Sequence, residues 1–434
     1  ILRQDKTELK SLTGDAAKLA EDRMKKKDLR LAVALDARTG KKLWSEAVDV
    51  TDCSNIGIGG GKLTLMYSDG VLVLCGANAN GHYWKQFVSG EFKRRRLVAL
   101  SGEDGYKLWA KDANYRHRPI VVGGQIIAEP WAFDLKTGEQ KMRKHPLTGK
   151  EVPWSIMRPG HHCGMLTGSD NMLMFRSGYT GFYDLKADAG TRHFAGHRLG
   201  CWINAIPTNG LVVIPEASAG CVCMFSIAST IVMEPRKPRR PWSLYSGVGA
   251  VTPIQQMSLN FGAPGDRRDS RGKLWLAYPR PIPNTRLETS LDVKFKFETQ
   301  FLPPGGFFSD DGDRTVASES DLTWVAASGG RGLMRCTIPL LGKGDKPADY
   351  SVRLVFASEQ DDKPNQRVFD VKLQGKTVAE NMDVVALASD GVVVREIDGV
   401  RVTDNLLIEL VPSAKKPAPN QLPILSGIDV QRKN

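Results

Sequence analysis

Imidazoles and thiolates are the side chains best suited to hold a borderline transition metal, and this chain gathers several of them. His161-His162-Cys163 lies in the run Arg158–Gly164, Cys201 follows within Arg198–Trp202, and Cys221 and Cys223 are two positions apart. If the segments carrying them stack in register on adjoining sheets, thiolates and imidazoles meet at one height, which suits zinc or copper. The same residues serve disulfides in an oxidising compartment. Cys221 and Cys223 share one face of a strand, so each meets a different partner more easily than the other, and Cys163 and Cys201 are at hand. The seven cysteines are odd in number, so at least one stays unpaired if the rest bridge. His161 and His162 also offer acid–base chemistry. His193 and His197 lie near Asp184 and Asp188 with no recognised spacing.

Two further stretches carry charge in a pattern. In Gly262–Asp269, Asp266, Arg267, Arg268 and Asp269 alternate around a turn, which favours a salt-bridged loop closing a sheet. Arg267 and Arg268 are also the candidate ligands for an anionic sugar. Ser309-Asp310-Asp311-Gly312-Asp313 offers oxygen ligands for calcium, without the full spacing of a helix–loop–helix calcium site. No nucleophile elbow, phosphate loop, dinucleotide fingerprint or zinc-protease motif occurs.

The elements that must position these residues are short strands. Four stretches repeat an apolar run, a tight turn and a second apolar run: Leu63–Leu74 around Asp69-Gly70, Ile120–Ile127 around Gly123-Gly124, Met165–Met174 around Asp170-Asn171, and Ala205–Ile214 around Asn209-Gly210. Hairpins recurring every few dozen residues predict the blades of a β-propeller. A second marker accompanies them. Ala34-Leu35-Asp36-Ala37-Arg38-Thr39-Gly40-Lys41-Lys42-Leu43-Trp44 is its clearest form, Ala99–Trp109 keeps the frame, Ala132–Gly138 keeps the first half, and Tyr183–Gly190 is degraded. Here an Asp accepts backbone N–H groups, a Gly turns left-handed, and a Trp fills the space between sheets.

This marker resembles the tryptophan-docking motif of pyrroloquinoline-quinone type propeller repeats, over about residues 30–285. Quinoprotein dehydrogenases of that class carry adjacent cysteines in a vicinal disulfide. This chain has no Cys-Cys pair, which argues against bound quinone, and no Cys-x-x-Cys-His run for covalent haem. The family's rings have seven or eight blades, more than these residues supply. The missing blades are therefore expected upstream of Ile1 or from a second chain, since an open ring leaves strand edges unpaired.

Pro279–Asn284 reads as a linker. Beyond it, longer alternating strands are expected at Leu291–Glu298, Tyr350–Phe356, Arg367–Leu373, Val392–Ile397 and Leu406–Leu410, the spacing of a β-sandwich. The runs Tyr350–Glu359 and Arg367–Gly375, with the ending Leu406–Leu410 and Pro423–Val430, closely resemble malectin-like domains. The resemblance covers about 288–432 and implies a jelly-roll-like sandwich and carbohydrate binding.

Composition is that of an ordinary globular chain of 434 residues with a net charge of +12. The charge gathers at Lys25–Lys27, Lys93–Arg96 and Arg236–Arg240, expected as solvated loops. No aromatic-interleaved RNA signature or helix-turn-helix accompanies them, so nucleic acid is not expected as a partner. Leu211–Met233 is interrupted by Pro215, Glu216 and Gly220 and reads as buried strands, not a membrane span. Residues 1–29 read as a charged helix. The chain begins with Ile and shows no signal peptide, as a processed or internal start would.

The expectation is thus an all-β protein with three parts: a helical extension (1–29), propeller blades (30–285) and a malectin-like sandwich (286–434). Its expected role is binding and scaffolding outside the cytoplasm, in the periplasm or beyond, with carbohydrate, acidic polysaccharide or protein partners and no confidently assigned cofactor. The competing reading is an enzyme: a quinoprotein-like oxidoreductase or a propeller-based carbohydrate-active enzyme.

Overall fold

The computed structural model describes residues 27–53, 63–76, 90, 93–160, 163–200, 202–216, 229–236, 242–280, 293, 297–310, 322–388 and 391–433. The expected N-terminal helix lies outside them, up to the strand that starts at Leu29. The described elements are almost all strands, without a closed barrel. No described helix is long and apolar enough to cross a membrane. The chain divides into two compact units: residues 1–141, 160–181 and 194–235 form one, and 142–159, 182–193 and 236–434 the other.

The first unit is built from small antiparallel sheets. A two-stranded ribbon joins Leu29–Leu35 to Lys42–Asp49. A four-stranded sheet runs in sequence order through Leu63–Ser68, Val71–Gly76, Arg96–Ser101 and Lys107–Asp112. Three-stranded sheets follow at Ile120–Val122, Gln125–Ala128 and Trp131–Asp134, and at Ile206–Thr208, Leu211–Ile214 and Ile231–Met233. All four hairpins expected from sequence are present with two-residue turns, pairing Ser68 with Val71, Val122 with Gln125, Ser169 with Met172, and Thr208 with Leu211. The first of these turns has φ of 47° at Asp69 and 77° at Gly70, the left-handed pair that matches strand twist. Leu211 and Val232 are exposed while Ile214 is fully buried, so the described strands of 211–233 are half-buried rather than wholly buried as expected.

The turns marked by Asp and Gly form as their chemistry predicts. Asp36 Oδ1 accepts from the backbone N–H of Arg38 (3.0 Å) and Thr39 (2.7 Å). Asp134 Oδ1 does the same for Lys136 and Thr137. The indoles dock forward. Trp44 Nε1 donates to the Gly102 carbonyl (3.0 Å) and its ring covers Gly105, where an added Cβ would lie 2.6 Å from it. Trp109 Nε1 donates to the Leu135 carbonyl (3.1 Å), and a Cβ on Gly138 would lie 2.7 Å from that ring. Each glycine is thus required twice over, by positive φ and by the ring seated on it.

In the second unit two six-stranded sheets enclose one apolar core. One sheet runs Arg267–Arg268, Leu274–Tyr278, Gln256–Phe261, Gly427–Arg432, Ala348–Ala357, Val392–Val402. The other runs Glu298–Ser309, Ser328–Pro339, Asn405–Pro412, Val368–Leu373, Lys376–Asp383, with Ile424–Leu425 also paired to Ser328–Pro339. Alternation decides which side chains go in: Phe369, Val371 and Leu373 are buried from one strand, Leu406, Ile408 and Leu410 from its neighbour. Burying each such side chain contributes about 1.5–3 kcal/mol.

The sandwich begins earlier than residue 286. Gln256–Phe261 pairs antiparallel with Gly427–Arg432, and Leu274–Tyr278 runs parallel to Gln256–Phe261. Residues 256–278 therefore belong to the sandwich sheet rather than to a last blade. The Pro-rich stretch at 279–284 drew the sequence boundary too late because a proline run marks a bend and not which sheet the preceding strands join.

Candidate functional site

The hairpin from Arg267 to Tyr278 places the most informative polar groups in the second unit. Its anchor is Asp266, fully buried, whose carboxylate accepts the N–H groups of Tyr245 (2.7 Å) and Ala277 (2.9 Å) and pairs with Arg280. Asp269 closes the turn by accepting from the N–H of Arg271 and Lys273. With its ends held in this way, the hairpin presents Arg268 and Lys273 to a cleft of about 280 Å³.

The cleft is lined by Lys144, His145, Tyr245, Arg268 and Lys273, with Gln256 and Ser258 as neutral polar groups and Leu147, Met257, Leu274 and Leu276 among its apolar residues. None of its lining residues is acidic. Arg268 donates only to backbone carbonyls, those of Gly272 (2.7 Å) and Asp188 (3.1 Å), and its buried Nε has no hydrogen-bond partner. A guanidinium without a carboxylate partner, beside further cations, has the charge and donor geometry that suit an anion. Lys273 is the exception, since it also pairs with Asp429 (2.5 Å), which in turn accepts from Ser258 Oγ (2.9 Å).

Lys273 also lines a second, more open groove of about 490 Å³, on the sheet that contains the hairpin. Arg271, Arg353 and Lys433 line it with Ser351 and Gln431, against Glu396 and Asp429. Cleft and groove thus meet at Lys273.

His145 has a structural task that sequence reasoning missed. Its Nδ1 accepts from the N–H of Leu147 and Thr148 (3.3 Å each). Its own N–H donates to Lys150 O, and Gly149 N–H donates to His145 O, the backbone pattern found at Asp36 and Asp134. His145–Lys150 is therefore the same turn with an imidazole in the aspartate's place. The signal was present as Thr148-Gly149-Lys150, matching Thr39-Gly40-Lys41. Burial, and then the nearby Arg143 charge, push His145 down to about 4, so the ring is neutral with its proton on Nε2.

Behind the cleft, Arg143 forms a buried knot. It pairs with Asp188 (3.1 Å), donates to Ser155 and Ser246, and lies over the Tyr245 ring at 4.5 Å. Trp154 Nε1 donates to Asp188 Oδ1 (2.9 Å), which also accepts from Tyr183. Asp188 occupies the position of the turn glycine, with φ of 42°, and so carries a side chain where the other turns have none.

The remaining candidates fall elsewhere. Arg267 packs against two indoles that meet edge to face, with its guanidinium carbon 4.7 Å from the Trp324 ring and 5.5 Å from Trp242, and it does not line the cleft. Of the two arginines, Arg268 lines the cleft. His161, His162, Cys201, Cys221 and Cys223 lie outside the described residues. Among the described residues Cys163 is a buried free cysteine, as are Cys53, Cys75 and Cys336. Burial pushes the thiols of Cys53, Cys75 and Cys336 up to about 12, so they are inert. Among the described residues no three His, Cys, Asp or Glu side chains gather to hold a metal. Of the acidic run at 309–313 only Ser309 and Asp310 are described. The chain has no adjacent cysteines to form a vicinal disulfide.

One basic run departs from its expected solvation. Arg95 is fully buried in the first unit, donating to the carbonyls of Tyr115 (3.3 Å) and Arg116 (2.8 Å) with its guanidinium carbon 4.5 Å from the Tyr115 ring. Tyr115 in turn accepts Gly76 N–H (2.8 Å) and donates to Arg96 O (3.1 Å). His197 is buried beside Thr180 Oγ1 (3.3 Å).

Residues 335–426 match the malectin domain family. No curated protein matches the chain. Among solved structures, the ANX2 ectodomain from Arabidopsis thaliana is similar at 21% identity, covering 42% of this chain and 42% of that one, with a TM-score of 0.31. The ANXUR1 extracellular domain from the same plant matches at 18% identity over 41% and 42%, with a TM-score of 0.31. A complex of the plant peptide RALF23 with FER and LLG2 matches at 14% identity over 41% and 40%, with a TM-score of 0.28. The chain thus spans about two-fifths of these structures, and identities this low transfer no ligand.

Proposed function

We propose that this is a binding and scaffolding protein whose sandwich unit captures an acidic glycan in the cleft beside the Arg267–Tyr278 hairpin. The observation that carries the reading is Arg268: a cleft-lining guanidinium with backbone partners only, flanked by Lys144 and Lys273 in a lining without a carboxylate. A uronate or sulfate supplies the missing charge, and sugar rings have an apolar wall in Met257 and Leu276. The groove along Arg271 and Arg353 extends the track for a longer chain. The malectin match at 335–426 supports a carbohydrate ligand. The docked indoles Trp44 and Trp109 support a propeller-type repeat in the first unit as the rigid platform.

The test is calorimetric titration with sulfated, uronate and neutral oligosaccharides of equal length. Acidic sugars are expected to bind, with affinity falling as salt rises, and neutral ones to bind at least tenfold more weakly. Arg268→Met should weaken acidic-sugar binding about tenfold or more. Equal binding of neutral and acidic sugars, or none at 50 mM salt, overturns the reading.

A further inference from the structure

The groove of about 490 Å³ lies on the face of its sandwich sheet that is turned away from the core, and strand register lines its charges up. Along Ala348–Ala357, Val352 and Leu354 enter the core, so Ser351 and Arg353 point the other way. Ile428 and Val430 do the same for Asp429 and Gln431. Ser258 lies opposite Asp429, Asp429 opposite Arg353, and Arg353 opposite Glu396. One row therefore crosses four adjacent strands, with about 4.8 Å between neighbours. From the hairpin outward it reads hydroxyl, anion, cation, anion. Arg271 and Lys273 line the groove at the hairpin end as further cations.

Neighbours of opposite charge in such a row can pair with one another, but here the row leaves both signs unused. Asp429 is taken up by Ser258 Oγ (2.9 Å) and Lys273 (2.5 Å). Lys433 is taken up by Asp398 (2.9 Å). Arg353 stands between two carboxylates, yet its guanidinium has no hydrogen-bond or ion-pair partner among the described residues. Arg271 donates through its backbone N–H alone. Glu396 Oε1 accepts only from Ser351 Oγ, at 3.5 Å. The groove thus offers two unused guanidiniums and, one strand further out, an unused carboxylate. Free cations alone suit an anion. A free carboxylate beside them repels a purely anionic chain, and its own complement is a cation.

We propose that the groove selects a zwitterionic glycan, in which an acidic sugar neighbours an amino sugar with an unsubstituted ammonium group. The acid lies between Arg271 and Arg353, which donate to carboxylate or sulfate in the bidentate manner of guanidinium. The ammonium meets Glu396. Glu396 is the specificity-determining residue, because an N-acetyl group removes the charge that it pairs with. The inference rests on the reading of this unit as a receptor for acidic glycans and narrows which of them it takes.

The experiment titrates the full chain, near pH 6, with two oligosaccharides of equal length that alternate uronate with glucosamine. One carries free amines and the other is N-acetylated. Net charge alone favours the N-acetylated chain, which is the more anionic. The proposal predicts the opposite order, with the free-amine chain bound about threefold or more tighter, the size of one exposed ion pair. Glu396→Gln should erase that preference and leave the N-acetylated chain bound at least as tightly as by the parent. Glu396 is exposed, so the variant should melt like the parent. Arg353→Met should weaken both chains in equal proportion. Tighter binding of the N-acetylated chain, equal binding of the two, or a preference that survives Glu396→Gln overturns the proposal and leaves acidic-glycan capture standing. If neither oligosaccharide binds, capture fails and the proposal falls with it.

Discussion

The two units solve the same problem, keeping β-strands dry, in opposite ways. The sandwich relies on one continuous core, in which Tyr350, Val352, Leu354 and Phe356 of a single strand are all fully buried. Among the described residues the first unit has no such centre. Its apolar residues fall into separate clusters, one around Val98 and Leu100 and another around Leu97, Ala99 and Tyr115, each lying on a different face of the same sheet. Sheets stacked in this way owe stability to nearest neighbours, so damage stays local, whereas the sandwich fails as a whole.

The sharpest way to break that contrast is in the sandwich. Phe356→Ala leaves a cavity in a fully buried site and should cost about 3–5 kcal/mol. Denaturant unfolding should show the whole second unit lost in one transition at lower midpoint, with the first unit's transition unmoved. A partial loss confined to the strand Ala348–Ala357 would contradict the single-core description.

Trp109→Ala in the first unit should cost about 2 kcal/mol, because the indole is half-buried and gives up one hydrogen bond. Hydrogen exchange should quicken at the Asp134–Gly138 turn and leave the Asp36–Gly40 turn untouched. Equal quickening at both turns would mean that the small sheets are coupled more tightly than their separate clusters imply.

A smaller difference separates two glycines of the same conformation. Gly138→Ala meets both a left-handed backbone and the Trp109 ring, while Gly40→Ala meets a left-handed backbone and no described neighbour, which costs about 1–2 kcal/mol. Thermal melts should rank Gly138→Ala below Gly40→Ala.

The smallest expected effect is a pH dependence in the second unit. An imidazole with an ordinary value of 6.5 is held at about 4 by burial and by Arg143. As pH falls the unfolded chain therefore takes up this proton first. The stabilisation is complete above about 6.5 and is lost as pH drops towards 4. His145→Asp keeps an acceptor for Leu147 and Thr148 through that interval, so its stability should fall less between pH 7 and 4.5 in matched urea titrations. An unchanged slope would show that Nδ1 does not hold the turn.

Much of this was readable in the chain before any coordinates. Two-residue turns advertise themselves through Asp-Gly and Asn-Gly, because few other pairs tolerate left-handed backbone. The strands of the sandwich appeared as clean alternation, within two residues at Tyr350–Phe356 and Leu406–Leu410, though Val392–Val402 runs on well past the expected Ile397. What stayed hidden depends on distant partners. Arg95 sits in a run of four cations and gives no local sign that Tyr115 will cover it. The parallel pairing of Ser258–Phe261 with Trp275–Tyr278 has no periodic mark of its own. Of two neighbouring arginines, sequence could not tell which one would pack against two indoles and which would line a cleft.

His145 is the turn former that also borders the basic cleft. An aspartate there would shape the backbone equally well, yet it would set a permanent negative charge beside Lys144, Arg268 and Lys273 and blunt their pull on anything anionic. The ring fixes the same loop while adding no field of its own. At this one position the architecture of the loop and the appetite of the cleft are satisfied together by a side chain that binds protons too weakly to carry one.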